Sequence, residues 1–98
     1  MNPEIAREAE SYIIEVLSIV KPHLEKDLIL FVDHYLYHAE YEMAFEGLFL
    51  AIMKLGPAPP LDWRRSTEMA KKLNLNKESI YDEDFWSRFS KYSEGKMV

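Results

Sequence analysis

The stretch from Leu24 to Leu55 constrains the fold of this chain more than any other. Two apolar patterns of helical period follow one another there and meet at the polar step Tyr37-His38-Ala39-Glu40. In the first, Leu24, Leu28, Phe31, Val32 and Tyr35 form one stripe with Leu36 at its edge. In the second, Tyr41, Ala44, Phe45, Leu48, Phe49, Ile52 and Leu55 form another. One uninterrupted helix would span about 32 residues, beyond the usual globular range, so the pattern predicts two helices with a break near His38-Ala39. The hairpin they make is the expected core. Its outer side is expected to carry Asp33, Tyr37, Glu40, Glu42 and Glu46, with Met43 between the last two acids.

The elements on either side are also helical. Asn2-Pro3-Glu4 has the order of a helix start: a capping side chain, a proline at the first helical position and an acid facing the positive end of the dipole. Ile5, Ala9, Tyr12, Ile13, Val16, Leu17 and Val20 then share one face, and Pro22 stops the helix. A second helix is expected to begin near His23 or Leu24. Gly47 falls inside the third helix, where glycine costs roughly 1 kcal/mol against alanine, and the expected reason is close approach of a neighbour. After it, Gly56-Pro57-Ala58-Pro59-Pro60 predicts a glycine cap and a stiff connector.

Asp62 is a candidate cap for a fourth helix with Met69, Ala70, Leu73 and Leu75 on its apolar edge and Arg64, Arg65, Lys71 and Lys72 as its basic side. Turn-forming residues at Asn74 to Lys77 end it. Asp82-Glu83-Asp84 can cap a last helix whose aromatics Phe85, Trp86, Phe89 and Tyr92 form a docking stripe. No alternating strand pattern is present. The expectation is an all-α fold, a single domain over residues 1–98 built as a bundle of four to five helices, with residues 1–2 and 94–98 frayed.

The chain has 98 residues, 48% of them hydrophobic, which suffices for one core and not for two. It has no cysteine, so disulfides, thiolate metal sites and cysteine nucleophiles are excluded. No apolar run approaches the ~20 residues of a membrane span, and the N-terminus is acidic rather than signal-like, so a cytoplasmic protein with no membrane contact is expected. The charge is uneven. Residues 1–49 hold ten acidic and three basic side chains, a net of −7, whereas residues 50–98 hold seven and nine, a net of +2. Such an acidic half repels nucleic acid and attracts a basic partner, or else it is simply a solubilising face.

Chemical motifs are sparse. His34, His38 and Glu42 have four-residue spacing, a ligand face on a continuous helix, but the expected break interrupts their register and no fourth ligand stands out. No nucleophile elbow or phosphate-cradling glycine loop occurs, so no catalytic residue, cofactor or metal site is assigned and the chain is not expected to be an enzyme. Trp63 beside Arg64, Arg65, Lys71 and Lys72 could face nucleic acid, but the acidic half opposes it. What remains is a protein surface: acids interleaved with Tyr37 and Met43 suit rapid association with a basic protein.

The run D-L-I-L-F-V-D-H-Y-L-Y-H-A-E-Y-E-M-A-F-E-G-L, residues 27–48, resembles a pattern in small immunity proteins of bacterial toxin systems. The similarity is to the MafI type and to relatives encoded beside contact-dependent growth inhibition toxins. In these an apolar helix ends in a polar step, then Glu-Tyr, a spaced Ala and Glu, and Leu; Glu40, Tyr41, Ala44, Glu46 and Leu48 match. Met69-Ala70-Lys71-Lys72-Leu73-Asn74-Leu75-Asn76 is similar to the family's final helix and the turn after it. The resemblance covers about residues 24–76, and family members often have glycine where this chain has Ala39. It implies an all-helical protein that binds and neutralises a cognate toxin, often a ribonuclease, and it transfers no contact residues. The residues themselves nominate Asp33, Tyr37, Glu40, Glu42, Met43 and Glu46 as the partner-binding set, on a protein expected to be monomeric. The alternative is a helical adaptor that self-associates through Phe85, Trp86 and Phe89.

Overall fold

The computed structural model describes residues 1–97 and contains, among them, five α-helices and no strand. They are α1 (Pro3–Val20), α2 (Lys26–Tyr37), α3 (Tyr41–Lys54), α4 (Trp63–Lys72) and α5 (Phe85–Lys96), with one 3₁₀ turn at Lys21–His23. The Cα radius of gyration is 12.3 Å. No described helix is long and apolar enough to cross a membrane.

The expected starts and stops are present. Asn2 accepts from the Glu4 amide at 2.7 Å, Pro3 opens α1, and α1 ends at Val20 before Pro22. Asp62 caps α4 through the Arg65 amide at 3.0 Å. Three details differ. The second helix begins at Lys26 rather than at His23 or Leu24, because the 3₁₀ turn through Pro22 takes up His23 and Leu24 is extended. The cap of α3 is an extended Leu55, and Gly56 has no positive φ, so it is not a left-handed glycine cap. Finally, residues 94–96, expected to fray, form the last turn of α5: Ser93 before them is buried and bonded to Thr67 Oγ1 at 3.2 Å, and Met97 packs against the core. Val98, also expected to fray, lies outside the described residues.

Helix α3 is the centre of the molecule. It packs against α2, α1 and α5, and eight of its side chains or glycine positions are buried, from Tyr41 to Ile52. The core stripe of α1 lies on one side of it, and an aromatic cluster on another. Phe45 and Phe49 stack at 4.4 Å, Phe85 and Phe89 stack at 5.3 Å, and the pairs meet edge to face, with Phe49 and Phe89 5.5 Å apart. Such offset and edge-on arrangements add roughly 0.5–1.5 kcal/mol per pair beyond the area they bury. Phe85 and Phe89 are therefore consumed by the core of their own chain and offer no surface for self-association.

Helix α2 is the outlier. Of its expected stripe only Val32 is fully buried, while Leu28, Phe31, Tyr35 and Leu36 are half-buried. It lies on α3 as an outer helix, so its far side faces solvent.

Candidate functional site

The corner between α2 and α3 is set by one backbone device. The Ala39 amide donates to the Leu36 carbonyl at 3.1 Å and the Glu40 amide to the Tyr35 carbonyl at 2.8 Å, with Ala39 left-handed at φ 56°. These two bonds make a Schellman motif, in which the residue after the helix cap turns left-handed. The same device ends α4, where Asn74 has φ 66° and Leu75 is buried behind it. Asparagine tolerates this conformation; alanine has no side-chain hydrogen bond to offset it. The break therefore separates the α2 and α3 registers, and the line His34–His38–Glu42 is not a helical face. The two imidazoles lie 4.6 Å apart, and no described group of three or more His, Cys, Asp or Glu side chains is placed to hold a metal ion.

Of the six nominated residues, the structure leaves three exposed: Asp33, Tyr37 and Glu40. Tyr37 is 86% exposed, the most open large hydrophobic side chain described, and its ring rests edge-on against His38 at 5.2 Å. Glu42 and Met43 are half-buried at the start of α3. Glu46 is the correction. It is 0% exposed, and its carboxylate accepts from three successive backbone amides, Ile80 at 2.6 Å, Tyr81 at 3.3 Å and Asp82 at 3.1 Å. The face of α3 that helical spacing assigns to solvent is covered by the loop before α5. A buried carboxylate needs such donors, since leaving it unpaired would cost several kcal/mol. Glu46 is an internal anchor, not a contact residue.

The loop that Glu46 holds is a feature the sequence did not reveal. Ile80 and Tyr81 are 54% and 57% exposed although their amides point inward. Each lines a groove. Ile80 closes one of about 430 Å³ against Ala6, Tyr41 and Met43, with Glu40 and Glu42 also lining it. Tyr81 closes another of about 600 Å³ over Leu28, Phe31 and Gly47, where the charges are mixed: Glu25 and Asp27 line it together with His23 and Lys54. The nearest local hint was Gly47. A Cβ there would stand 2.8 Å from Phe31 Cδ1, so α2 approaches α3 closely at the expected glycine, next to Glu46. Tyr81 in turn lies edge-on to Phe31 at 5.7 Å.

Electrostatics separate the corner from the rest of the acidic half. Glu15 pairs with Arg65 at 2.9 Å and Glu8 with Lys72 at 2.8 Å, so α4 neutralises part of α1. Among the described residues no ion pair involves Glu25, Asp27, Asp33, Glu40 or Glu42. The exposed acids of the first half that no base pairs with are thus Glu4 and Glu10 on α1 and the larger group on α2 and its junction with α3. Beneath it the Tyr41 hydroxyl donates to Glu10 at 3.3 Å, and burial, reinforced by that carboxylate, raises the phenol above its ordinary value of 10.0. Compared with protein-family models, curated proteins and solved structures, the chain matches none.

Proposed function

We propose that this protein is a binding module for a basic protein, and specifically an immunity protein that neutralises a bacterial nuclease toxin by covering its phosphate-binding groove. One observation carries the reading: α4 neutralises Glu8 and Glu15 of α1, while Asp33, Glu40 and Glu42, near Tyr37 at the α2–α3 corner, take part in no ion pair. A nuclease groove is positively charged because it must hold phosphates, and an acidic surface competes for the same field. An aromatic anchor set among those acids supplies contact area that charge alone does not. The biological setting comes from the resemblance of residues 27–48 to MafI-type immunity proteins. No catalytic role is part of this proposal.

Co-expression with the product of the adjacent reading frame tests it. A cognate toxin should be harmless in the presence of this protein and should co-purify with it. Its association rate should fall steeply with salt, because steering by surface charge raises encounter rates roughly 10- to 1000-fold and is screened by ions. Reversal of Glu40 and Glu42 to lysine should slow association while the melting temperature stays within a few degrees. A neighbour that is not toxic, or a complex whose association ignores salt, refutes the reading.

A further inference from the structure

We infer that the groove between Met43 and Ile80 is the anchor point of this surface, and that its occupant is an arginine side chain of the partner protein. The inference rests on the proposed binding of a basic protein and names the contact within it. The groove has an apolar lining, chiefly Ala6, Tyr41, Met43 and Ile80, and two carboxylates, Glu40 and Glu42; no basic side chain lines it, the one cationic group on a lining residue being the α-amino group of Met1. An apolar stem with a cationic head is the chemistry complementary to that pattern. Guanidinium is preferred over ammonium because it is planar, weakly hydrated and able to lie on an aromatic or thioether surface while its edge meets carboxylates. The larger groove at Tyr81 is instead lined by basic side chains as well, Lys54 and His23, beside its acids.

Two features prepare the groove. The left-handed Ala39 turns the chain so that Glu40 and Glu42 reach the same opening. Glu46 fixes the backbone of Ile80 through a 2.6 Å bond, which holds the far wall in place while leaving the Ile80 side chain outside. Glu46 is thus a positioning residue for a surface it does not reach.

The test titrates the ¹⁵N-labelled full chain with Nα-acetyl-arginine methylamide and with its lysine and citrulline counterparts. Citrulline keeps the shape of arginine and lacks the charge. Perturbed amides should be those of Ala6, Ala39 to Met43 and Ile80, with citrulline at least roughly tenfold weaker, as loss of a charge-assisted contact implies. Glu40→Gln with Glu42→Gln should abolish the response, whereas Glu25→Gln with Asp27→Gln should leave it intact. Equal response to citrulline, equal loss in both double variants, or shifts spread over all exposed acids overturns the inference. Carried into the toxin complex, the Glu40→Gln, Glu42→Gln pair distinguishes the two proposals. A salt-sensitive complex indifferent to that pair removes the arginine anchor and keeps the acidic-surface reading; a specific arginine response without any basic partner does the reverse.

Discussion

Removing the carboxylate of Glu46 gives the sharpest check on the structure, because helical spacing and tertiary packing disagree about it. If Glu46 were a solvated rim residue, Glu46→Ala would change stability by no more than about 0.5 kcal/mol. In the structure it is completely buried and receives the amides of Ile80, Tyr81 and Asp82. Hydrogen bonds to a charged acceptor contribute about 1.5–3 kcal/mol each, but these three share one carboxylate and the bond from Tyr81 is long, so they do not add. Two terms reduce the loss further. Alanine no longer needs to bury a charge, and a loop with Ile80 and Tyr81 already half outside can turn its amides to water. The expected cost is about 3 kcal/mol, a large share of the 5–15 kcal/mol that holds a domain of this size. At about 4–8 °C per kcal/mol, the melting midpoint should fall by about 12–24 °C. Glu46→Gln keeps the shape and one acceptor oxygen but sets an amide NH₂ against a backbone donor, so it should lie between the two. Thermal unfolding by circular dichroism reads the midpoint, and hydrogen exchange reads the loop: the Ile80, Tyr81 and Asp82 amides should lose protection first. A Glu46→Ala protein melting within about 4 °C of wild type, with those amides still protected, would refute the placement of the loop on α3.

Other outcomes follow from single contacts. Ala39→Gly should stabilise the protein by about 0.5–1 kcal/mol, because the left-handed φ of 56° strains alanine and not glycine; an unchanged or lower midpoint in denaturant titration contradicts the Schellman turn. Gly47→Ala should cost about 1 kcal/mol net, overpacking against Phe31 exceeding the gain in helix propensity, and should displace Phe31 from Tyr81, visible as altered ring-current shifts. Stability should decline above pH ~10, where unfolded phenols ionise. Burial raises Tyr12, Tyr41 and Tyr92 above 10.0, so the folded state keeps protons that the unfolded state releases, and the stability they contribute is fully present below pH 10 and lost as pH rises through the folded values. Tyr12→Phe, which also gives up the hydroxyl bond to Ser66, should flatten that decline; a stability profile unchanged between pH 9 and 11 (about one unit either side of the phenol value) would contradict it.

What could be read without the structure was what neighbours in sequence decide. Asn2-Pro3, Pro22 and Asp62 act within a turn of their own positions, and the apolar faces of α1, α3 and α4 follow from a period of 3.6 residues. The break at His38 to Glu40 was legible from length, even though Ala39 lacks the glycine signal for its own conformation. Gly47 announced a close approach but not that Phe31 makes it.

The tertiary structure alone decided which acids are available. Glu46 has the spacing of a surface residue and is buried because a loop 34 residues further on covers it. Glu8 and Glu15 belong by count to the acidic half, yet Lys72 and Arg65 pair with them across 64 and 50 residues. Helical period and capping are short-range effects, whereas these pairings depend on where α3, α4 and α5 come to rest once the aromatic core has closed. The sequence by itself determined a bundle of four to five helices and the acid excess of its first half; packing determined that Glu8, Glu15 and Glu46 are taken up while Asp33 and Glu40 stay open at the α2–α3 corner.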